Sequence, residues 1–159
     1  MHWWSFRLIQ AYFMLRGNYP ARVDEKGRLK IPAPFKQEIE KSYSNQFCIT
    51  SHDGQYARIY PFEEWIKIEE KLAQNPSFNK TRRKFLDRAN YYGQVVQWDN
   101  QGRVLIPSVL RESAEMKGEV AVLGNLTYLT VWNNQRFLEE IGNNPITSDD
   151  ERILDELGI

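Results

Sequence analysis

A chain of 159 residues fits one compact domain or two very small ones. Its composition, 42% apolar and 26% charged, is that of an ordinary soluble globular protein. The 21 basic side chains balance the 21 acidic ones, so no global excess points to a polyanion or a membrane, and the single Cys48 excludes an internal disulfide framework.

The N-terminal MHWWSFRLIQAYFMLRG is apolar and aromatic but broken by Arg7 and Gln10. It lacks the basic start and small-residue cleavage site of a signal peptide and is too short to span a bilayer. A domain is expected to start at Met14, leaving residues 1–13 as an extension. Tyr19 to Val23 alternates as a strand. Asp24-Glu25-Lys26-Gly27 then has Asp at the first and Gly at the fourth position of a type I turn, closing a hairpin. Beyond it, Leu29 and Ile31 share one face, Arg28 and Lys30 the other. Pro32 ends this strand. Pro34 sits where a helix begins, with Phe35, Ile39 and Tyr43 at helical spacing. Strands follow at Gln46–Thr50, which buries Cys48, and at Tyr56–Tyr60. A helix with Trp65 near its start comes next.

Thr81 through Asn90 reads as a connecting helix carrying Lys80, Arg82, Arg83, Lys84 and Arg88 against Asp87, a run ordinarily solvated. Then the scheme repeats. Gln94–Trp98 leads into Asp99-Asn100-Gln101-Gly102, Arg103 and Pro107. Five of the thirteen residues of DEKGRLKIPAPFK recur in DNQGRVLIPSVLR, 75 positions on. Ser108 is placed to cap the next helix and Gly118 to stop it. Strands at Val120–Leu123 and Tyr128–Trp132 precede a helix with Phe137 near its start. The end, after Gly142, reads as a loop and a short acidic amphipathic helix. The chain is a tandem duplication of units of about 45 residues, each near the size at which a lone domain struggles to bury enough surface. Two such units can share one core.

Charge is segregated. Arg16 to Lys36 holds six basic and two acidic residues, whereas Phe137 to Ile159 holds one and seven. No enzyme is expected: His2 and His52 are far apart, no Cys/His/Asp spacing suggests a metal, and adjacent glutamates on helices do not share a face.

At DEKGRLKIPAPFK and its echo, together with MLRGNYPARVDEKGRLKIP and LGNLTYLTVW, the sequence resembles the MraZ family, a two-repeat branch of the SpoVT/AbrB-like DNA-binding proteins. The resemblance runs from Met14 to about Gly142. It implies a mostly β fold with short helices (α+β), a swapped-hairpin AbrB-like barrel built from two tandem repeats in one chain. The expected division is an extension at 1–13 (the family's chains typically begin at the Met corresponding to Met14, so the resemblance implies a misassigned start), repeats at 14–66 and 93–140, a helical linker at 67–92 and an acidic tail at 141–159. It further implies a cytoplasmic, nucleoid-associated repressor. Such a protein would form a ring of eight or twelve copies and bind tandem repeats in double-stranded promoter DNA upstream of its own division and cell-wall gene cluster.

Carried over by position, the DNA-binding residues are Arg16, Lys26, Arg28 and Lys30, with Arg103 the weaker counterpart. Asp24, Gly27, Pro32, Asp99, Gly102 and Pro107 build the turns. No cofactor, metal, membrane or small-molecule substrate is implied. Lys26 becomes Gln101 and Lys30 becomes Leu105 in the second unit, so the first repeat is expected to face DNA and the second to complete the barrel or the ring contact. Two plainer readings stand beside this one. Arg28 and Arg103 could simply pair with Asp24 and Asp99, or the barrel could serve as a ring scaffold for other proteins.

Overall fold

Alternation drives the fold: each strand puts every second residue into one shared interior. The structure, a computed structural model, describes residues 14–75, 77 and 79–159; the extension proposed for residues 1–13 lies outside the described residues. The first unit supplies β1 (Asn18–Val23), β2 (Arg28–Lys30), α1 (Ala33–Ser42), β3 (Gln46–Thr50), β4 (Ala57–Pro61) and α2 (Phe62–Gln74). After α3 (Asn79–Tyr92) the second supplies β5 (Gln94–Gln97), β6 (Arg103–Leu105), α4 (Ser108–Ser113), β7 (Gly118–Asn125), β8 (Tyr128–Asn133) and α5 (Asn134–Asn143). The chain ends in α6 (Ser148–Glu156).

The eight strands form one antiparallel sheet in the order β5-β3-β4-β8-β7-β1-β2-β6, a nearly closed barrel. The order exposes an exchange of strands. The β1–β2 hairpin of the first unit lies against β7 of the second, and β5 of the second unit lies against β3 of the first. The two short strands β2 and β6 then pair with each other, as do β4 and β8. Interchanging the units leaves these four cross-unit pairings unchanged, so the barrel has an internal two-fold relation, departed from where β1 pairs with β2 while β5 and β6 form the two ends of the sheet. Pro20 is tolerated inside β1 because its partner on that stretch is β7 alone; β1 meets β2 only at Val23↔Leu29.

The interior is a single cluster drawn from equivalent positions of both units. Leu29 and Val104, Ile31 and Ile106, Phe35 and Leu110, Ile39 and Ala114 are all buried within it. This explains why the motif is written twice: neither half encloses a core of its own. A second, smaller cluster of Cys48, Tyr60, Trp65 and Ala89 lies where α2 and α3 cover the outer side of β3 and β4. The Thr50 hydroxyl donates to Ala89 O at 2.8 Å and ties α3 to the barrel. Burial pushes the Cys48 thiol up to about 12, in keeping with an unreactive core position.

Two helix ends differ from the sequence reading. Ser108 is the first residue inside α4, with Pro107 in the capping position and no side-chain cap. Pro107, with its fixed φ, already sets the entry of the chain, as Pro32 does for α1. The stop is not Gly118, which opens β7, but Glu115 at φ +51. Met116 N–H donates to Arg111 O and Glu115 N–H to Glu112 O, the paired bonds of a Schellman ending. Asn133 Nδ2 donates to Glu115 O at 3.0 Å and helps to hold a conformation that a non-glycine residue seldom adopts.

Candidate nucleic-acid interface

The candidate surface rests on two turns of the same construction. In the first, Gly27 N–H donates to Asp24 O at 2.9 Å and Asp24 N–H donates to Arg28 O at 3.0 Å. This is a type I turn followed by a bulge, with Gly27 at φ +82 in the position that needs no Cβ. Asp24 Oδ1 accepts from the backbone N–H groups of Lys26 (3.0 Å) and Arg28 (2.9 Å), and Oδ2 accepts from Arg28 Nε at 2.8 Å. The second turn repeats each bond: Gly102 N–H to Asp99 O, Gln101 and Arg103 N–H to Asp99 Oδ1, and Arg103 Nε to Oδ2 at 2.8 Å. The backbone N–H of Arg28 or Arg103, then its guanidinium, holds each aspartate below its ordinary 3.8.

The recurring Asp and Arg are thus parts of one turn device, and the plainer reading of Arg28 and Arg103 is part of the answer. Each arginine is anchored through Nε, and its side chain remains partly exposed, at 32% for Arg28 and 25% for Arg103.

The turns also clasp each other. Ile31 N–H donates to Gly102 O and Ile106 N–H donates to Gly27 O, both at 3.0 Å. The basic residue that ends each motif crosses to the other unit's turn. A Cβ on Gly27 would lie 1.9 Å from Arg111 Nη1, and one on Gly102 would lie 3.1 Å from Lys36 Cδ. Lys36 Nζ also stands 5.7 Å from the Trp98 ring centroid. Neither Lys36 nor Arg111 was recognisable as a turn residue from its own unit, because each serves the other.

The β2–β6 register then decides what points outward. Arg28 stands opposite Leu105 and Lys30 opposite Arg103, while Leu29 and Val104 between them are fully buried. Arg28, Lys30, Arg103 and the half-exposed Leu105 therefore share the outer face of one two-stranded ribbon. Lys26 is exposed at the tip of the first turn, and Gln101 is exposed at the tip of the second.

Arg16 is not brought to this ribbon. It precedes β1, beside Gly124 on β7, seven residues from the Val23 end, roughly 23 Å at the rise of a strand. A further basic residue that sequence reading passed over, Arg58, lies on the outer side of β4–β8. Its guanidinium donates to the hydroxyls of Tyr56 (2.9 Å), Tyr60 (3.1 Å) and Tyr128 (3.4 Å). Tyr56 stacks on Trp132 and Tyr60 on Tyr128, with centroids 4.4 and 4.6 Å apart. This knot locks β4 to β8, one of the four strand pairs across which the units meet. Among the described residues no group of His, Cys, Asp and Glu could hold a metal ion, and no helix is long and apolar enough to cross a membrane.

A barrel completed by exchange between two tandem repeats, with paired Asp-x-x-Gly-Arg hairpins at its closure, defines a two-repeat swapped-hairpin barrel. The family profile described as "MraZ protein, putative antitoxin-like" matches residues 14–88 and 93–157, and the chain belongs to the MraZ family. It is 56% identical over 146 residues to the transcriptional regulator MraZ of Acidobacterium capsulatum, covering 92% of this chain and 100% of that one. The transcriptional regulator MraZ of Koribacter versatilis is 57% identical over 147 residues, with the same 92% and 100% coverage. That of Syntrophobacter fumaroxidans is 37% identical over 124 residues, 78% of this chain and 81% of the relative. The chain is accordingly a transcription regulator and not an enzyme.

Proposed function

We propose that this regulator binds double-stranded DNA with the outer face of the β2–β6 ribbon, reading a specific sequence through Arg28 and holding phosphates with Lys26 and Lys30. Arg103 assists from the opposite strand, and Arg16 is an outlying contact at the far end of β1. The observation that carries this reading is the register, which sets Lys30 opposite Arg103 on one face of paired strands, an element of the kind that a major groove admits. The anchoring of both arginines by aspartate supports a rigid display with little conformational entropy left to lose.

Charge arithmetic argues for repetition. From Asp24 to Lys30 there are three cations, Lys26, Arg28 and Lys30, against two acids, Asp24 and Glu25. One such hairpin is a weak ligand for a polyanion. A homo-oligomeric ring of eight or twelve copies would repeat it at fixed spacing and gain affinity through effective concentration. The target that fits is a set of tandem repeats in promoter DNA upstream of the protein's own gene, at the head of a division and cell-wall cluster. The outcome there is repression, in a cytoplasmic, nucleoid-associated setting.

Fluorescence anisotropy with the upstream duplex and a scrambled duplex tests this reading. Arg28→Ala is expected to abolish the preference between them, and Lys30→Ala to weaken both, with thermal melts showing the barrel intact. Equal binding of wild type to both duplexes, untouched by either substitution, would reject DNA reading by this ribbon and favour a ring scaffold.

A further inference from the structure

The helices between the repeats and the helix at the C-terminus fit each other. Between α2 and α3 runs an apolar groove of about 460 Å³, floored by Ile68, Leu72 and Phe85 and rimmed by Lys71 and Arg82. The α3 helix and the Lys80 to Arg88 stretch carry five basic residues against one acid. The α6 helix is the reverse, with five acidic residues, Asp149, Asp150, Glu151, Asp155 and Glu156, against Arg152 alone. Its Ile153 and the capping Leu157 just beyond its end, one turn apart, are 54% and 70% exposed, and the helix buries no residue in its own chain. A nine-residue helix, even with the Thr147/Asp150 capping box, is too short to hold itself in water and needs a surface for that apolar stripe.

We infer that the α2–α3 groove receives the α6 helix of a second copy of this chain. Groove and helix are different patches, so the contact is heterologous: every copy offers one of each, and successive copies join head to tail until the rotation closes. The inference rests on the ring reading above and supplies its interface. It also gives the Arg82-Arg83-Lys84 run a partner in place of solvent, and the acidic tail a destination.

Sedimentation of the full chain at micromolar concentration tests it. Ile153→Asp/Leu157→Asp removes the helix stripe, and Lys71→Glu/Arg82→Glu reverses the groove rim; neither touches the barrel core, and thermal melts check this. Each variant alone is expected to self-associate at least tenfold more weakly and sediment as a monomer. Mixed in equal amounts they should form a two-chain species and nothing larger, since only one groove and one helix remain intact. Asp149→Lys/Glu156→Lys placed in the Lys71→Glu/Arg82→Glu chain should restore the wild-type mass. A helix-stripe variant that keeps the wild-type mass, or a mixture that stays monomeric, overturns the docking while leaving a ring held by another surface. A monomeric wild type overturns both the docking and the ring.

Discussion

The turns at Asp24–Arg28 and Asp99–Arg103 have the same backbone and different tips. Each has the same set of turn bonds, each glycine has a positive φ, and each is crossed by a basic residue from the other unit. Yet the first presents Lys26 and Lys30 where the second presents Gln101 and Leu105. What the two share is what the barrel needs to close. What they do not share, the two lysines, is free to serve something outside the barrel, while Arg28 and Arg103 hold their turns through Nε and still leave part of the side chain exposed.

The comparison breaks if equivalent core positions are not equivalent in stability. Ile31→Ala and Ile106→Ala empty matching sites at 1% and 0% exposure, and each is expected to cost about 2–5 kcal/mol in denaturant unfolding. A large loss at one and none at the other would contradict a jointly owned core. Gly27→Ala and Gly102→Ala come next. Both force a side chain into the left-handed region, about 1–2 kcal/mol. Gly27→Ala must in addition displace the Arg111 guanidinium, whereas Lys36 at Gly102 can flex aside, so the first should melt lower. Smaller still, Asp24→Ala and Asp99→Ala should lower the melting temperature by similar amounts, because each loses the same three bonds.

Acid should affect both turns together. Each aspartate is depressed below 3.8 when folded, so its contribution is complete above the unfolded value and is lost as pH falls through the folded one. Melting temperatures followed from about pH 5 down to about pH 2 should fall less steeply in Asp24→Asn, and less again when Asp99→Asn is added.

The turns, the inward alternation of Leu29 and Ile31 and the duplication were readable in the chain, because they depend on neighbours a few residues apart. The swapped barrel followed from resemblance and is borne out by β1–β7, β3–β5 and β2–β6 pairing. Contacts across the two-fold were not readable. Lys30 meeting Arg103 depends on β2–β6 register, and Arg111 reaching Gly27 depends on two elements more than eighty residues apart in sequence. Gly118 was an attractive helix stop only because its local chemistry is right; tertiary support from Asn133 let Glu115 take that role instead. Arg16 looked like a neighbour of the hairpin, but the length of β1 carries it away.

The most direct test exchanges the two tips. Lys26→Gln/Lys30→Leu gives the first hairpin the second one's surface, and Gln101→Lys/Leu105→Lys does the reverse; both leave the turn bonds alone. Binding of each to the upstream duplex is measured by anisotropy over a range of salt. The first exchange is expected to abolish binding at physiological salt and to flatten the salt dependence, by about 0.9 in log–log slope for each phosphate that no longer meets a cation. The second should bind at least as tightly as wild type. Unchanged affinity and slope after the first exchange would contradict the assignment of this ribbon to DNA.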